Sequence, residues 1–141
     1  MPTNVSPELY TRVQQFYARQ MQALDDCRFK EYAATFTPDG SFQHSPDAEP
    51  AITPEGIVAE LENFHRRFDN DPVQRRHWFN HIDLEMCADG SIRSTVYALV
   101  VTVRPNSKPE IAPSCVVHDV LIDEDGAVAA RSRLVTHDQI R

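Results

Sequence analysis

Residues 75–81, RRHWFNH, place two arginines, two histidines and an asparagine within one short segment. Imidazole groups exchange protons near neutral pH, and guanidinium groups bind anions. Such a segment can form a metal site, a nucleic-acid contact, a solvated loop or one wall of a pocket. The spacing of these residues and the character of the rest of the chain decide among the four.

Spacing and charge disfavour the first two. His77 and His81 would suit a zinc ion on a helix, but on a strand they lie about 13 Å apart, too far to share one ion. The chain has no HExxH motif and no Cys–His cluster. Its net charge of -7 leaves too few basic residues for a phosphate backbone. We therefore predict no metal and no nucleic-acid partner.

The first half of the chain has helical patterns. Apolar residues at 3.6-residue spacing predict a helix from Pro7 to Asp26, with Ser6 as its cap. Residues 29–36 predict a second, short helix, followed by a turn at 37–40 and a short strand at 41–44. The polar, proline-rich stretch 45–54 is typical of a loop. A third helix is predicted from Thr53 to about Phe68.

The second half changes to strand patterns. Four β-rich runs occupy residues 77–86, 91–103, 113–123 and 127–135. Glycine turns at 88–90 and 124–126 join consecutive runs, and the connection 104–113 is longer. Helices followed by strands predict an α+β fold in one domain, 1–141, with the N-terminal helices packed on a curved antiparallel sheet. Such a sheet closed by helices encloses an apolar pocket.

The chain resembles the NTF2-like superfamily of α+β cones, and within it the SnoaL-like proteins of bacterial polyketide pathways. The resemblance rests on ALDDCRFKEYAATFTPDGSF after the first helix, on RRHWFNH at the start of the first long strand, and on EDGAVAARSRLVTHD near the end. The superfamily includes dehydratases, isomerases, cyclases, oxygenase small subunits and non-catalytic binders. In GAVAARSR, small residues stand where members often carry an aromatic, which predicts a roomier cavity or a different packing partner at that end.

The resemblance implies an acid–base pair. In scytalone-dehydratase-like members an aspartate in the stretch matching LDDCRF pairs with a histidine, which favours Asp25 and His77. Strand alternation by itself points the other way, because the more apolar face carries Trp78 and Asn80. An inward His77 then requires a bulge or twist at the strand start. We expect Asn80 near the pocket wall and His81 exposed.

Four further residues are candidates for binding a substrate. Tyr17 and Tyr97 are either core tyrosines or hydrogen-bond donors in the pocket. His118, on an apolar strand, either packs in the core or lines the cavity, and Asp119 on the opposite face is predicted at the surface. Arg133 matches a superfamily position that reaches the pocket, where it can hold a carboxylate, an enolate or a phenolate. Arg131, on the same predicted face, is expected in solvent or in a dimer interface.

These expectations define a cofactor-independent enzyme that dehydrates or cyclises an aromatic or polyketide-derived molecule. The alternative is a non-catalytic ligand-binding module or an oxygenase-associated small subunit. A homodimer is expected, because a second copy commonly covers the open sheet face. Three dispersed cysteines, no signal peptide and no apolar run of membrane length predict a cytoplasmic protein with reduced thiols.

Overall fold

The computed structural model describes residues 5–139. Its helices are α1 (Pro7–Asp25), α2 (Phe29–Ala33) and α3 (Thr53–His65), and a 3₁₀ turn, Arg66–Phe68, extends α3. Its strands are β1 (Phe36–Gln43), β2 (Ala51–Ile52), β3 (Gln74–Met86), β4 (Ile92–Val103), β5 (Glu110–Glu124) and β6 (Ala127–His137). No helix within this range is long and apolar enough to cross a membrane.

The strands form one mixed sheet in the order β2-β1-β6-β5-β4-β3. β3 to β6 make the predicted antiparallel meander, and β1 joins β6 as a parallel neighbour. The predicted α+β class is therefore confirmed, although one strand pair is parallel. The helices cover one face of this curved sheet, and their apolar stripes form the core with it.

Two segments differ from the sequence prediction. Residues 37–40 are not a separate turn but an irregular part of β1, whose register against β6 shifts between Phe36 and Ser41. Gly40 permits this shift, because a Cβ there would lie 2.9 Å from Phe36 Cβ and from Thr37 O. The predicted loop also contains the two-residue strand β2, which pairs with β1. Both differences result from strand pairing in the tertiary structure, which local composition cannot predict.

Helix α1 begins and ends as its sequence predicts. The backbone N–H of Leu9 donates to Ser6 Oγ at 3.1 Å, which confirms the cap. At the other end Cys27 has a left-handed φ of 59°, and Arg28 N donates to Ala23 O at 2.8 Å. This termination leaves Asp25 in the last helical turn, where α1 packs against β3.

A bulge in β3 decides which residues face the helices. His81 and Ile82 together oppose the single residue Val96 of β4, and His81 has a φ of 53°. The backbone N–H of His81 donates to Asn80 Oδ1 at 2.9 Å within this bulge. The extra residue shifts the alternation by one position. Residues 75, 77 and 79 therefore face inward before it, and residues 82, 84 and 86 face inward after it.

The bulge accounts for the conflict in the sequence pattern. Alternation from the apolar C-terminal half of β3 places Trp78 inside, but Trp78 is 61% exposed and His77 faces the cavity. The irregularity lies in the middle of the strand, not at its start as expected.

We expect substitutions at His81 to rank by their tolerance of a left-handed backbone. His81→Val should lower the free energy of unfolding by about 1–2 kcal/mol, because a β-branched residue clashes at positive φ. His81→Gly and His81→Asn should stay within about 0.5 kcal/mol of the parent. Urea unfolding of the three variants measures this, and equal stabilities for all three would contradict the assigned bulge.

Candidate active site

A cavity of about 440 Å³ opens between the helices and the concave face of the sheet. Most of its wall is apolar, with Met21, Leu61, Phe79 and Val117 among the contributors. Charged and polar groups enter it from α1, β3 and β6. An apolar cleft of this size with a few convergent polar groups is typical of a site for a small organic molecule.

Asp25 and His77 meet in this cavity. The distance between Asp25 Oδ1 and His77 Nδ1 is 2.6 Å, and both carboxylate oxygens of Asp25 also accept the backbone N–H of His77 at 3.2 Å. The side chains are only 7% and 16% exposed, respectively. Since Asp25 acts as the acceptor, Nδ1 carries a proton, and Nε2 has no hydrogen-bond partner within residues 5–139. Nε2 is therefore the ring nitrogen that a ligand can use.

Arg133 lies at the inner end of the cavity and is 3% exposed. Its Nε and Nη2 donate to the two carboxylate oxygens of Asp119 at 2.9 and 2.7 Å, and Nη2 also donates to Gln20 Oε1 at 2.7 Å. Nη1 donates to Tyr32 Oη at 3.0 Å. Burial by itself lowers the pKa of the guanidinium. The charge and hydrogen bonding of Asp119, together with Tyr32 and Tyr17, outweigh burial and raise that pKa well above its usual range.

Tyr17 completes this buried network from behind the cavity. Its hydroxyl donates to Asp119 Oδ2 at 2.7 Å and accepts from Ser94 Oγ at 2.7 Å. Burial and then the charge of Asp119 raise the pKa of Tyr17 well above its usual range, which keeps the phenol protonated as a donor. The hydroxyl of Tyr17 donates one hydrogen bond and accepts another within the protein, so Tyr17 positions Asp119.

The network leaves two donors for a ligand. Four of the five guanidinium N–H groups of Arg133 are used in these bonds, so one N–H on Nη1 remains. Tyr32 accepts from Arg133, and its own O–H has no acceptor within residues 5–139. Burial raises the pKa of Tyr32, although Arg133 partly opposes this, so the phenol stays protonated. Both residues line the cavity.

Three predicted binding residues lie on the outer face of the sheet. Asn80, Tyr97 and His118 are exposed, and Tyr97 is 59% accessible. Asn80 binds the backbone of the bulge, Tyr97 contacts the His81 ring, and His118 lies 3.1 Å from Thr136 Oγ1. The structure therefore brings together Asp25, His77 and Arg133 at the cavity. Asn80, Tyr97 and His118 lie outside it.

A second bulge separates Arg131 from Arg133, which alternation places on one face, and Asp119 differs from its prediction. Ser132 and Ala130 of β6 oppose the adjacent residues Val120 and Leu121 of β5, so Arg131 is the extra residue. Arg131 points outward to Asp89, at 3.6 Å, while Arg133 points inward. Asp119 is 1% exposed, not at the surface, because it neutralises the buried guanidinium.

Sequence reasoning missed Tyr32 as a cavity residue, and it expected the arginines of RRHWFNH only at the rim of a pocket. Arg75 precedes His77 by two positions on β3, and this period-two signal places both side chains on one face once His77 is inside. Tyr32 lies in the short helix α2, where nothing local distinguishes a cavity donor from a core tyrosine. Its role depends on its hydrogen bond with Arg133, which is far away in the sequence.

His65 and Cys27 contact each other at the rim of the cavity. Burial, and then the charge of Arg75, lowers the pKa of His65, so this imidazole is neutral at neutral pH. Its Nε2 lies 3.6 Å from Cys27 Sγ. Burial and the neighbouring Asp26 and Asp25 raise the pKa of the Cys27 thiol, which is the opposite of what a nucleophilic thiolate needs.

The chain belongs to the SnoaL-like family, whose domain model matches residues 6–133. This match confirms the family resemblance drawn from the sequence. A comparison with curated proteins found no match.

Solved structures of similar proteins have the same fold. The chain is 54% identical to ActVI-ORFA from Streptomyces coelicolor, with a TM-score of 0.88 over 94% of this chain and 98% of that one. It is 47% identical to a protein from Catenulispora acidiphila solved in complex with S-DNPA, with a TM-score of 0.85 over 94% and 96% of the two chains. An NTF2-like protein with a cystatin-like fold from Novosphingobium aromaticivorans is only 12% identical, yet it aligns with a TM-score of 0.75 over 91% and 80%. These similarities confirm the cone-shaped NTF2-like fold.

The buried ion pair leads to a stability prediction. Asp119→Asn should lower the free energy of unfolding by about 3–5 kcal/mol, because it leaves the Arg133 charge buried without a counter-charge. Asp123→Asn, on the same strand but in a surface pair with Arg12, is the matched control and should cost about 0–1 kcal/mol. Urea unfolding measures both, and equal losses would show that burial does not distinguish the two pairs.

Proposed function

We propose that the protein is a cofactor-independent enzyme that dehydrates or cyclises an aromatic or polyketide-derived molecule by acid–base catalysis. The observation that supports this most strongly is the short Asp25–His77 contact, which leaves His77 Nε2 available in a largely apolar cavity. Membership of the SnoaL-like family supports the same class of reaction, and the relative solved with S-DNPA supports a small-molecule substrate.

In the proposed mechanism His77 moves the proton. Nε2 takes a proton from a carbon next to a substrate carbonyl, and Asp25 stabilises the imidazolium that forms. The remaining N–H of Arg133 and the O–H of Tyr32 donate to the carbonyl oxygen as it gains negative charge. In dehydration, the imidazolium then returns the proton to a departing hydroxyl, which leaves as water. In cyclisation, the enolate carbon attacks a second carbonyl, and the imidazolium returns the proton to the oxygen of that carbonyl.

Substitution of the acid–base pair tests the proposal directly. Asp25→Asn and His77→Ala should each reduce turnover by about 10²–10⁴-fold, since a positioned acid–base group contributes that much. The variants are introduced on the chromosome of the native host, and extracts are compared by mass spectrometry. We expect loss of the normal product and accumulation of a compound that is heavier by one water, or is its isomer.

Asp26→Asn is the matched control for this experiment. Asp26 is the next carboxylate along the chain, and it is exposed and paired with Arg28. It should leave the metabolite profile unchanged. An unchanged profile in Asp25→Asn and His77→Ala, at normal protein levels, would reject the acid–base role and favour the alternative of a ligand-binding or oxygenase-associated subunit.

We also propose that the protein acts as a homodimer in the cytoplasm. Its cysteines, all within the described residues, are free thiols, as expected in a reducing compartment. The outer face of β3 and β4 carries an apolar patch, defined here as Trp78, Tyr97 and Leu99, which are 61%, 59% and 41% exposed. Trp78 and Leu99 are direct cross-strand partners, so the patch is continuous and suits a self-complementary contact.

Sedimentation velocity tests the dimer. The parent protein should sediment as a dimer, and the double variant Trp78→Glu/Tyr97→Glu should sediment as a monomer, because it buries charge in the contact. Ile52→Glu is the control: Ile52 is 63% exposed but lies on β2, at the opposite edge of the sheet. A parent protein that is monomeric at micromolar concentration would contradict the proposal.

A further inference from the structure

Arg75 is a half-buried cation without a counter-ion. Its side chain lines the cavity, and it forms no ion pair or side-chain hydrogen bond within residues 5–139. The guanidinium carbon lies 5.2 Å from the ring centroid of Phe64 and 5.6 Å from that of Phe68. Burial is the main cause that lowers its pKa, but arginine remains charged at neutral pH. A desolvated, unpaired charge is costly unless a ligand compensates it.

The other arginines around the cavity are placed differently. Arg133 is neutralised by Asp119, and Arg104 donates to both carboxylate oxygens of Asp71 at 2.9 Å. Arg67 is exposed, and it lies 4.1 Å above the same Phe64 ring that Arg75 approaches. This second cation also has no ion pair in the described part of the chain. A chain with a net charge of -7 therefore keeps, within its described residues, two positive charges without an ion pair at one end of its cavity.

We infer that Arg75, assisted by Arg67, binds the carboxylate of the substrate, so that the substrate is a flat aromatic carboxylic acid. The inference rests on the proposed function, which it deepens by naming the substrate class. A planar guanidinium beside two aromatic rings matches a carboxylate held by two parallel hydrogen bonds. Phe64 and Phe68 provide the apolar surface on which an aromatic ring can pack.

The position of Arg75 relates this anchor to the chemistry. Arg75 and His77 share the inward face of β3, and alternate residues on a strand lie about 7 Å apart. A carboxylate on Arg75 therefore holds the reacting carbon a few bonds away, toward Nε2 of His77. Asp25 lies close enough to raise the pKa of Arg75, and its negative charge repels a carboxylate, so we expect the carboxylate to bind on the side of the guanidinium away from Asp25. Asp25 remains engaged with His77.

A binding experiment without turnover tests this inference. The probes are 2-naphthoate and its neutral isostere 2-naphthamide, titrated into the folded protein and followed by ¹H–¹⁵N chemical shifts. The acid should bind about tenfold or more tightly than the amide, since a charged hydrogen-bonded pair replaces a neutral one. Arg75→Gln should remove this preference while leaving the affinity for the amide unchanged. Arg76→Gln, the same change of charge on the adjacent, outward residue, should preserve it.

Three results would overturn the inference. They are equal affinities for acid and amide in the parent protein, no binding of the acid at millimolar concentration, or a preference that persists in Arg75→Gln. Arg75→Lys gives a second test, because it keeps the charge but loses the paired geometry and should retain only part of the preference. Since these measurements report binding without turnover, a negative result here is distinguishable from unchanged activity in the Asp25 and His77 variants.

Discussion

The buried ion pair between Arg133 and Asp119 is the interaction on which the interior is organised. A guanidinium that is 3% exposed needs both a counter-charge and acceptors for its remaining donors. Side chains from four elements supply or support them: Tyr17 and Gln20 of α1, Tyr32 of α2, Ser94 of β4 and Asp119 of β5. The described structure contains no buried side-chain polar atom without a partner, so every polar atom of this network makes at least one hydrogen bond. Helices and sheet are thereby held in one register at the inner end of the cavity.

This arrangement separates two roles that polar residues have in the site. Tyr17 and Asp119 form their hydrogen bonds with other protein groups, whereas Tyr32 and Arg133 line the cavity and each have one unused donor. The fixed network orients those donors before any ligand arrives, which is the condition for electrostatic stabilisation without reorganisation. Asp25 does the same for His77 at the other side of the cavity, because it holds the ring through both Nδ1 and the backbone N–H.

Two bulges allow polar and apolar residues to share the inner face of the sheet. The extra residue in β3 turns Arg75, His77 and Phe79 inward without losing Leu84 from the core. The extra residue in β6 separates Arg131, in solvent, from Arg133, in the interior. Without the bulge in β3, period-two alternation would place Leu84 on the face opposite to Arg75, His77 and Phe79. Without the bulge in β6, it would place Arg131 and Arg133 on the same face. Local breaks in the ladder therefore define the chemistry of the cavity.

The sequence by itself determined most of the elements and the class of fold. Helical periodicity with the Ser6 cap, the glycine turns before β4 and β6, and the order of helices and strands are local signals, and the structure contains them where they were predicted. The resemblance of LDDCRF and RRHWFNH to family segments also led to Asp25 and His77 as a pair. Only the tertiary structure decided which face of each strand looks inward, because a bulge depends on pairing with a neighbouring strand. It likewise decided that Asn80, Tyr97 and His118 lie outside and that Tyr32 and Arg75 line the cavity, since burial and partners come from residues far apart in the chain.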